Sequence, residues 1–411
     1  MNYKERLLSR RITSQLRHFP VVIINGARQV GKSTMLKHLF PKAEHIVFDS
    51  VVDVGNAKQD PELFLRNRGT PLILDEIQYV PELVPSIKRQ VDQRKEKGLY
   101  ILTGSQQWSV MKTASESLAG RASFVDLEGF CLSEITEQST ENHWLKRYLE
   151  DPASFAQTKQ KRLDSEVGIF EQLWRGFLPD ANSFELEWLP EYFQGYLRTY
   201  IERDVRLLGE VADWGQFSRF VRISSALSAQ EINHSQLGRE IGITPQTAQR
   251  WLSMLRATYQ WFEIPAFHGN TLKRISSKPK GYFGDTGMAS HLQMISSPEV
   301  LSGHPLAGSF FETAVVTEIR KLSKTLPVPP ALYHWRSHGG AEVDLLMERD
   351  RIWYPIEVKM HTRPGKKDAG GIHAFRESYP NLTVAPGLVI CPCEEIQPLS
   401  NHVHAIPWDL I

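Results

Sequence analysis

Near the start of the chain, Leu7, Leu8, Ile12 and Leu16 recur at near-helical spacing, which predicts an amphipathic helix over 3–18. Short unbroken apolar runs follow. VVIIN (21–25), HIVFD (45–49), PLILDE (71–76) and LYILTGS (99–105) each read as a buried strand, and ASFVDLEGF (122–130) adds a fifth. The stretches between them, such as PELVPSIKRQVDQRKEKG, are helical in pattern. Strands alternating with helices predict an α/β fold, a parallel sheet with helices on both faces, over residues 1–140. Residues 141–215 are aromatic and charged and read as a helical lid or linker. Residues 216–300 read as a small helical module with a β-hairpin, and the Ser-, Pro- and Gly-containing stretch 291–308 reads as a linker. The 301–411 region opens with an amphipathic helix, GSFFETAVVTEIRKL, followed by the strands ALYHWRS, AEVDLLMER and IWYPIEVKM.

Composition narrows the possibilities. With 41% hydrophobic and 23% charged residues, the 411-residue chain is neither disordered nor collagen-like. Its net charge of +1 excludes a chain-wide electrostatic grip on nucleic acid, so only a local patch would supply one. Three cysteines make no disulfide framework, which fits a reducing compartment. The Cys391-x-Cys393 pair has no second pair to complete a zinc site. No apolar run reaches the ~18 residues of a membrane helix. The charged N-terminus lacks the apolar region of a secretory signal. A cytoplasmic protein is the expectation.

The chemistry begins after the first strand. Gly26-Ala27-Arg28-Gln29-Val30-Gly31-Lys32-Ser33 satisfies G-x-x-x-x-G-K-[ST], with a strand before it and a helix opening at Lys32, Ser33 and Thr34. The glycines let successive N–H groups turn toward phosphate oxygens, and the helix adds the positive end of its dipole. Lys32 is placed to reach the β- and γ-phosphates of ATP, and Ser33 to ligate Mg²⁺. Leu72-Ile73-Leu74-Asp75-Glu76 delivers two carboxylates at the C-terminal end of a buried strand, where parallel sheets bind ligands. Asp75 would hold Mg²⁺ and Glu76 would polarise the attacking water. Ser105, or else Thr103 or Gln106, ends another strand in position to read the γ-phosphate, although Ser105 also fits a helix N-cap. Arg121 precedes the fifth strand. It fits a group that stabilises charge on a neighbour's nucleotide, or a plain surface arginine.

GARQVGKST, LILDEIQ, LTGSQ and LAGRA, in this order, resemble the AAA+ branch of the P-loop ATPases. More narrowly, they resemble a bacterial and archaeal group in which this domain precedes a region called DUF4143. Tyr200-Ile201-Glu202-Arg203-Asp204-Val205 and Phe283-Gly284-Asp285-Thr286-Gly287 resemble that C-terminal region. The resemblance implies Walker A roles for Lys32 and Ser33, Walker B roles for Asp75 and Glu76, sensor-1 for Ser105 and an arginine finger at Arg121. It also implies a homo-oligomer. Arg175, Arg198 and Arg203 are the candidates for a sensor-2 arginine.

Residues 234–252 read as helix, tight turn and helix, with Leu237 and Ile241 packing on Ala248 and Leu252. Thr244 caps the second helix and Pro245 sits at its first position. Gln246, Thr247, Gln249 and Arg250 then face outward, as a recognition helix requires. Residues 234–282 hold seven Lys/Arg against two acids, +5 locally, with a wing expected around Lys273–Lys280. The reading is a winged-helix-like module that touches either DNA or protein.

In the last domain Glu342-Val343-Asp344 and Pro355-Ile356-Glu357-Val358-Lys359 fall on two strands of a hairpin. Alternation puts Glu357 and Lys359 on one face. Asp344 and Glu357 would meet there to hold Mg²⁺, Glu312 in the preceding helix would complete the shell, and Lys359 would help activate a nucleophile. The spacing resembles the PD-(D/E)xK nuclease fold, with Val343 in place of a proline. The whole sequence thus predicts an Mg²⁺-dependent ATP-binding and ATP-hydrolysing AAA+ protein that couples nucleotide state to DNA engagement or cleavage. The alternative is a nucleotide-dependent switch or scaffold for protein partners, with an inactive nuclease-like domain.

Overall fold

The computed structural model describes residues 3–48, 54–105, 118–199, 204–205, 211–269 and 277–411. Strands β1 (Val21–Asn25), β2 (Glu44–Val47), β3 (Leu72–Asp75), β4 (Tyr100–Gly104) and β5 (Ala122–Asp126) form a five-stranded parallel sheet in the order β2-β3-β4-β1-β5. Every residue of β1 is buried. Val21 and Ile23 enter one core with Ile87 and Leu102, while Val22 and Ile24 enter a larger one with Leu36 and Leu145. A strand covered on both faces needs apolar residues at successive positions, which is why VVIIN lacks polar alternation. Helices α1 (Ser9–His18), α2 (Lys32–Leu39) and α3 (Leu83–Arg94) provide part of that cover. From β1 the chain leaves toward β2 on one edge, and β5 returns on the other side, so a crevice opens above the C-terminal ends of β1 and β3.

The helix expected over 3–18 is shorter. Leu7 N–H donates to Glu134 Oε1 at 2.7 Å, and Arg6 reaches Glu134 Oε2 at 3.1 Å and the Val30 carbonyl at 2.7 Å. These tertiary bonds hold the segment before Ser9 out of the helix, against its apolar periodicity.

The middle of the chain contains α4 (Leu189–Thr199), α5 (Trp214–Ala226), α6 (His234–Ile241) and α7 (Pro245–Ala257), followed by α8 (Thr286–Leu292). Three short strands, β6 (Gln230–Glu231), β7 (Trp261–Ile264) and β8 (Lys280–Phe283), pair antiparallel in the order β6-β8-β7. Thr244 Oγ1 caps α7 by accepting from Thr247 N–H at 3.1 Å. Trp251 stands edge-on to Phe217 and Phe220, each with ring centroids 5.3 Å apart. The stretch 291–308 is not a linker: it carries a helix, Pro298–Ser302, and its Leu301 and Ile295 are buried in the main core. Leucine and isoleucine buried at those positions anchor it, whatever its Ser, Pro and Gly content.

In the C-terminal part, α9 (Ala307–Ser323) lies against a mixed sheet of β9 (Ala331–Arg336), β10 (Glu342–Arg349), β11 (Ile352–Val358), β12 (Thr383–Val384), β13 (Gly387–Cys391), β14 (Gln397–Ser400) and β15 (Val403–Pro407). The sheet order is β14-β15-β13-β11-β10-β9, with β12 beside β11, and α10 (Gly370–Ser378) contributes Ile372 and Phe375 to a separate core on its other face. The β10–β11 hairpin turns at Asp350 and Arg351, with φ +56° and +65°. Left-handed conformation at both central residues matches the twist of the strands. Beyond β7, Phe267 inserts against Trp353 with ring centroids 4.4 Å apart, and Ala266 pairs with His334 of β9. The β7–β8 hairpin is thereby fastened to the C-terminal sheet. Among the described residues no helix is long and apolar enough to cross a membrane.

Candidate functional site

The loop from Gly26 to Ser33 caps the crevice above β1. A Cβ at Gly26 would lie 2.0 Å from the Leu127 carbonyl oxygen, and Gly31 takes φ +89° at the start of α2, so each glycine answers a steric demand. The Lys32 ammonium is buried and donates to the carbonyls of Gly26 and Ala27, both at 2.8 Å. Burial lowers its pKa, opposed by Glu76 and Asp75. Arg28 forms a two-pronged ion pair with Asp204, at 2.7 and 2.6 Å, while its carbonyl accepts from the Tyr196 hydroxyl of α4 at 3.4 Å. Burial opposes the Arg28 charge, but the bonds to Asp204 raise its pKa. The loop is therefore tied to the helical part that follows the sheet.

Asp75 ends β3 and is almost fully buried. The hydroxyls of Ser33 and Thr103 donate to its two oxygens, and His45 Nε2 lies 3.1 Å from Oδ2. Burial pushes its pKa up, yet the bonds from His45, Ser33 and Thr103 prevail and lower it. Glu76 follows in the left-handed region, with φ +60° and ψ +45°. A non-glycine residue there costs on the order of 1–3 kcal/mol, and such strain clusters at functional sites. Thr103 Oγ1 accepts from Glu76 N–H at 3.1 Å. The Gln78 amide donates to the Glu76 carboxylate and to Ser105 Oγ, the latter at 3.0 Å. Of the three polar residues proposed to read the phosphate, Thr103 is engaged by Asp75 and Glu76, Ser105 by Gln78, and Gln106 lies outside the described residues.

Lys32, Ser33, Thr34 and Glu76 line one side of a 280 Å³ cavity whose other walls include Tyr3, Phe130, Asp180 and Asn182. Tyr3 stacks on His38 at 3.8 Å, and burial raises the pKa of Asp180. Arg121 does not join this group. The Val21–Ala122 register places it at the opposite, N-terminal edge of the sheet, where it pairs with Asp92 at 2.6 Å. Arg175 is engaged by the carbonyls of Ala181 and Phe184 and by Glu171, Arg198 is exposed, and Arg203 lies outside the described residues.

Sequence reasoning missed Arg6, His45, Gln78 and Asp204. His45 had a weak signal, being a polar residue inside an apolar strand adjacent to LILDE. Asp204 stood in a quoted phrase without a role. Gln78 likewise closed the quoted LILDEIQ without a role, and Arg6 carried no signal.

The second set of expected residues also converges. Lys359 Nζ lies 2.6 Å from Glu357 Oε1, Val358 N–H donates to Asp344 Oδ2 at 3.0 Å, and Asp344 N–H points to Glu357 Oε2 at 3.4 Å. Burial raises Glu357 to about 8 and Glu312 to about 7, with Asp344 adding to both. Glu312, Asp344 and Glu357 are the residues expected to form an Mg²⁺ shell. Among the described residues no group of three or more His, Cys, Asp or Glu is arranged to hold a metal ion. Lys280 of β8 lies between two of them, 2.6 Å from Glu312 Oε1 and 2.9 Å from Asp344 Oδ1.

The expected charge of the 234–282 segment is also reduced at its surface. Lys280 is buried in these ion pairs, and Arg256 is paired with Glu263 at 3.0 Å. Gln246, Gln249 and Arg250 are exposed and Thr247 is half-buried, whereas Lys273 and Arg274 lie outside the described residues.

Comparison with known proteins adds the family. Residues 18–136 match an AAA domain, 168–299 a domain of unknown function (DUF8612), and 307–411 a domain of unknown function (DUF4143). The phrases at 200–205 and 283–287 therefore fall within the DUF8612 match and not within DUF4143, a correction to their expected place. Uncharacterised proteins of Mycobacterium tuberculosis and Mycobacterium bovis are each 28% identical over 412 residues, covering all of this chain and 85% of theirs. Among solved structures, a Walker-type ATPase of Pyrococcus abyssi aligns with 69% of this chain and 94% of its own, at 16% identity and a TM-score of 0.43. The RuvB Holliday junction branch migration motor of Thermotoga maritima aligns with 66% of this chain and 94% of its own, at 16% identity and a TM-score of 0.30. The chain therefore combines an AAA domain on the P-loop sheet with a DUF4143 domain at its C-terminal end, the arrangement of the AAA–DUF4143 P-loop ATPases that its motifs resemble.

Proposed function

We propose that the chain binds and hydrolyses Mg²⁺-ATP in the crevice above β1, and that this cycle governs engagement of DNA by the α6–α7 pair. The observation that carries the ATPase reading is the meeting of Lys32, Ser33 and Asp75 at one end of the parallel sheet. Ser33 and Asp75 offer adjacent oxygen donors, the set Mg²⁺ prefers, and would hold it. When bound, the ion neutralises charge on the β- and γ-phosphates. Lys32 exchanges its carbonyl partners for phosphate oxygens, and the loop amides complete the cradle. Glu76 orients the attacking water, with Gln78 and Ser105 setting its carboxylate. Tyr3 and Phe130 suit the faces of a base, and Asp180 and Asn182 its polar edge. The Arg28–Asp204 pair carries the state of the loop toward the helices beyond it.

For DNA, Gln246, Gln249 and Arg250 present amide and guanidinium groups on the outer side of α7, the chemistry of base-edge and phosphate contacts. A second reading, a nucleotide-dependent switch that binds protein, is favoured by Lys280, which stands among the carboxylates that cleavage would need. The experiment is the ATPase rate with and without single- and double-stranded DNA, alongside molar mass by light scattering in ATP. Stimulation by DNA that Arg250→Ala weakens is the expected result. Turnover indifferent to DNA, with no DNA retained, rejects DNA engagement in favour of the switch. Absence of ATP binding to the folded chain rejects both.

A further inference from the structure

A cation already stands among the C-terminal carboxylates. Lys280 is buried, its ammonium 2.6 Å from Glu312 Oε1 and 2.9 Å from Asp344 Oδ1. Two residues on, and so on the same face of β8, the Tyr282 hydroxyl donates to the same Glu312 oxygen at 2.9 Å. The rest of the cluster is engaged as well. Asp344 Oδ2 accepts from Val358 N–H, and Glu357 Oε1 contacts Lys359 at 2.6 Å. A divalent ion needs several oxygens aimed at one point with short bonds, and Mg²⁺ demands near-octahedral geometry. Here the oxygens are aimed at two ammonium groups and at main-chain N–H donors. A buried ammonium is costly without carboxylate partners, and buried carboxylates gain from a cation beside them, so each side helps account for the other.

Lys280 also comes from elsewhere in the chain. The carboxylates sit on α9, β10 and β11, whereas Lys280 and Tyr282 belong to the β7–β8 hairpin of the middle module. We propose that Lys280 is a built-in cation in place of the divalent ion that the nuclease-like pattern implies. The cluster then serves as a clasp that locks the middle module to the C-terminal domain, and no metal-dependent phosphodiester cleavage takes place there. This inference stands apart from the ATPase reading, since its test uses no nucleotide.

The test is a Mn²⁺ titration of the full chain at pH 8 without nucleotide, followed by calorimetry and by the electron paramagnetic resonance signal of free Mn²⁺. Beyond any ion held at Ser33 and Asp75, the wild type is expected to show no saturable site in the range where Lys280→Met, which keeps the aliphatic stem, gains one. Adding Asp344→Asn to Lys280→Met is expected to abolish the gained site. A wild-type Mn²⁺ site that Asp344→Asn removes overturns the proposal, as does a folded Lys280→Met variant that gains none. Hydrogen exchange provides a reading that does not depend on Lys280→Met folding. Asp344→Asn alone should speed exchange across residues 280–283 by several-fold while leaving β1 and β4 unchanged, and unaltered exchange at 280–283 refutes the clasp.

Discussion

Glu128 joins the ATPase sheet to the C-terminal domain, and its charge state can be tested directly. It follows β5 and lies largely buried against Arg320 Nη2 at 2.8 Å and the Lys324 ammonium, from the last turn of α9 and the residue that caps it. Burial alone would raise its pKa, but the two cations outweigh it and hold the carboxyl at about 2, against an ordinary 4.5. A depressed folded-state pKa contributes stability above the unfolded value, and that contribution is lost as pH falls from 4.5 toward 2. A gap of about 2.5 units corresponds to about 3 kcal/mol at full extent, of which about 2 kcal/mol is gone by pH 3. Glu128→Gln removes this titration. Urea denaturation of both proteins between pH 6 and 3 should show the wild-type advantage shrinking by about 2 kcal/mol over that range. The variant is also expected to be less stable at pH 6, since Arg320 and Lys324 lose their partner. An advantage that stays constant with pH would refute the reasoning, because the carboxyl would then have an ordinary pKa.

Lys32→Ala should abolish adenosine nucleotide binding in calorimetry, while Glu76→Gln should retain binding and lose about 10²- to 10⁴-fold in turnover. Gln78→Ala removes the amide that sets the Glu76 carboxylate, so turnover should fall while nucleotide affinity stays unchanged, read from steady-state phosphate release beside calorimetry. Arg121→Ala should leave the isolated subunit's nucleotide affinity unchanged and lower turnover only in an assembled oligomer, read from rate against molar mass. Unchanged turnover in the assembly would leave Arg121 as the surface partner of Asp92.

The strands of the ATPase sheet were legible because their information is contiguous. VVIIN, LILD and YILTG form β1, β3 and β4, since an apolar run bounded by turn residues has few other places to go. The 3–18 helix and the 291–308 linker were misread for the converse reason. Glu134 fixes the backbone of Leu7 from 127 residues away, and burial of Leu301 depends on what packs over it.

The sequence by itself determined the phosphate loop, the acidic end of β3, the helix pair with its Thr244 cap and the presence of Asp344, Glu357 and Lys359 on one hairpin. All are patterns of neighbouring residues whose backbone geometry is set locally. Only the tertiary structure decided which charges meet. Arg28 finds Asp204 across 176 residues, and Lys280 finds Asp344 across 64. Such pairs arise when separately encoded elements pack together, and burial then obliges each charge to take whatever opposite charge the packing presents. That is why the motif near Glu357 suggested a metal site, and why a lysine from another module changes its meaning.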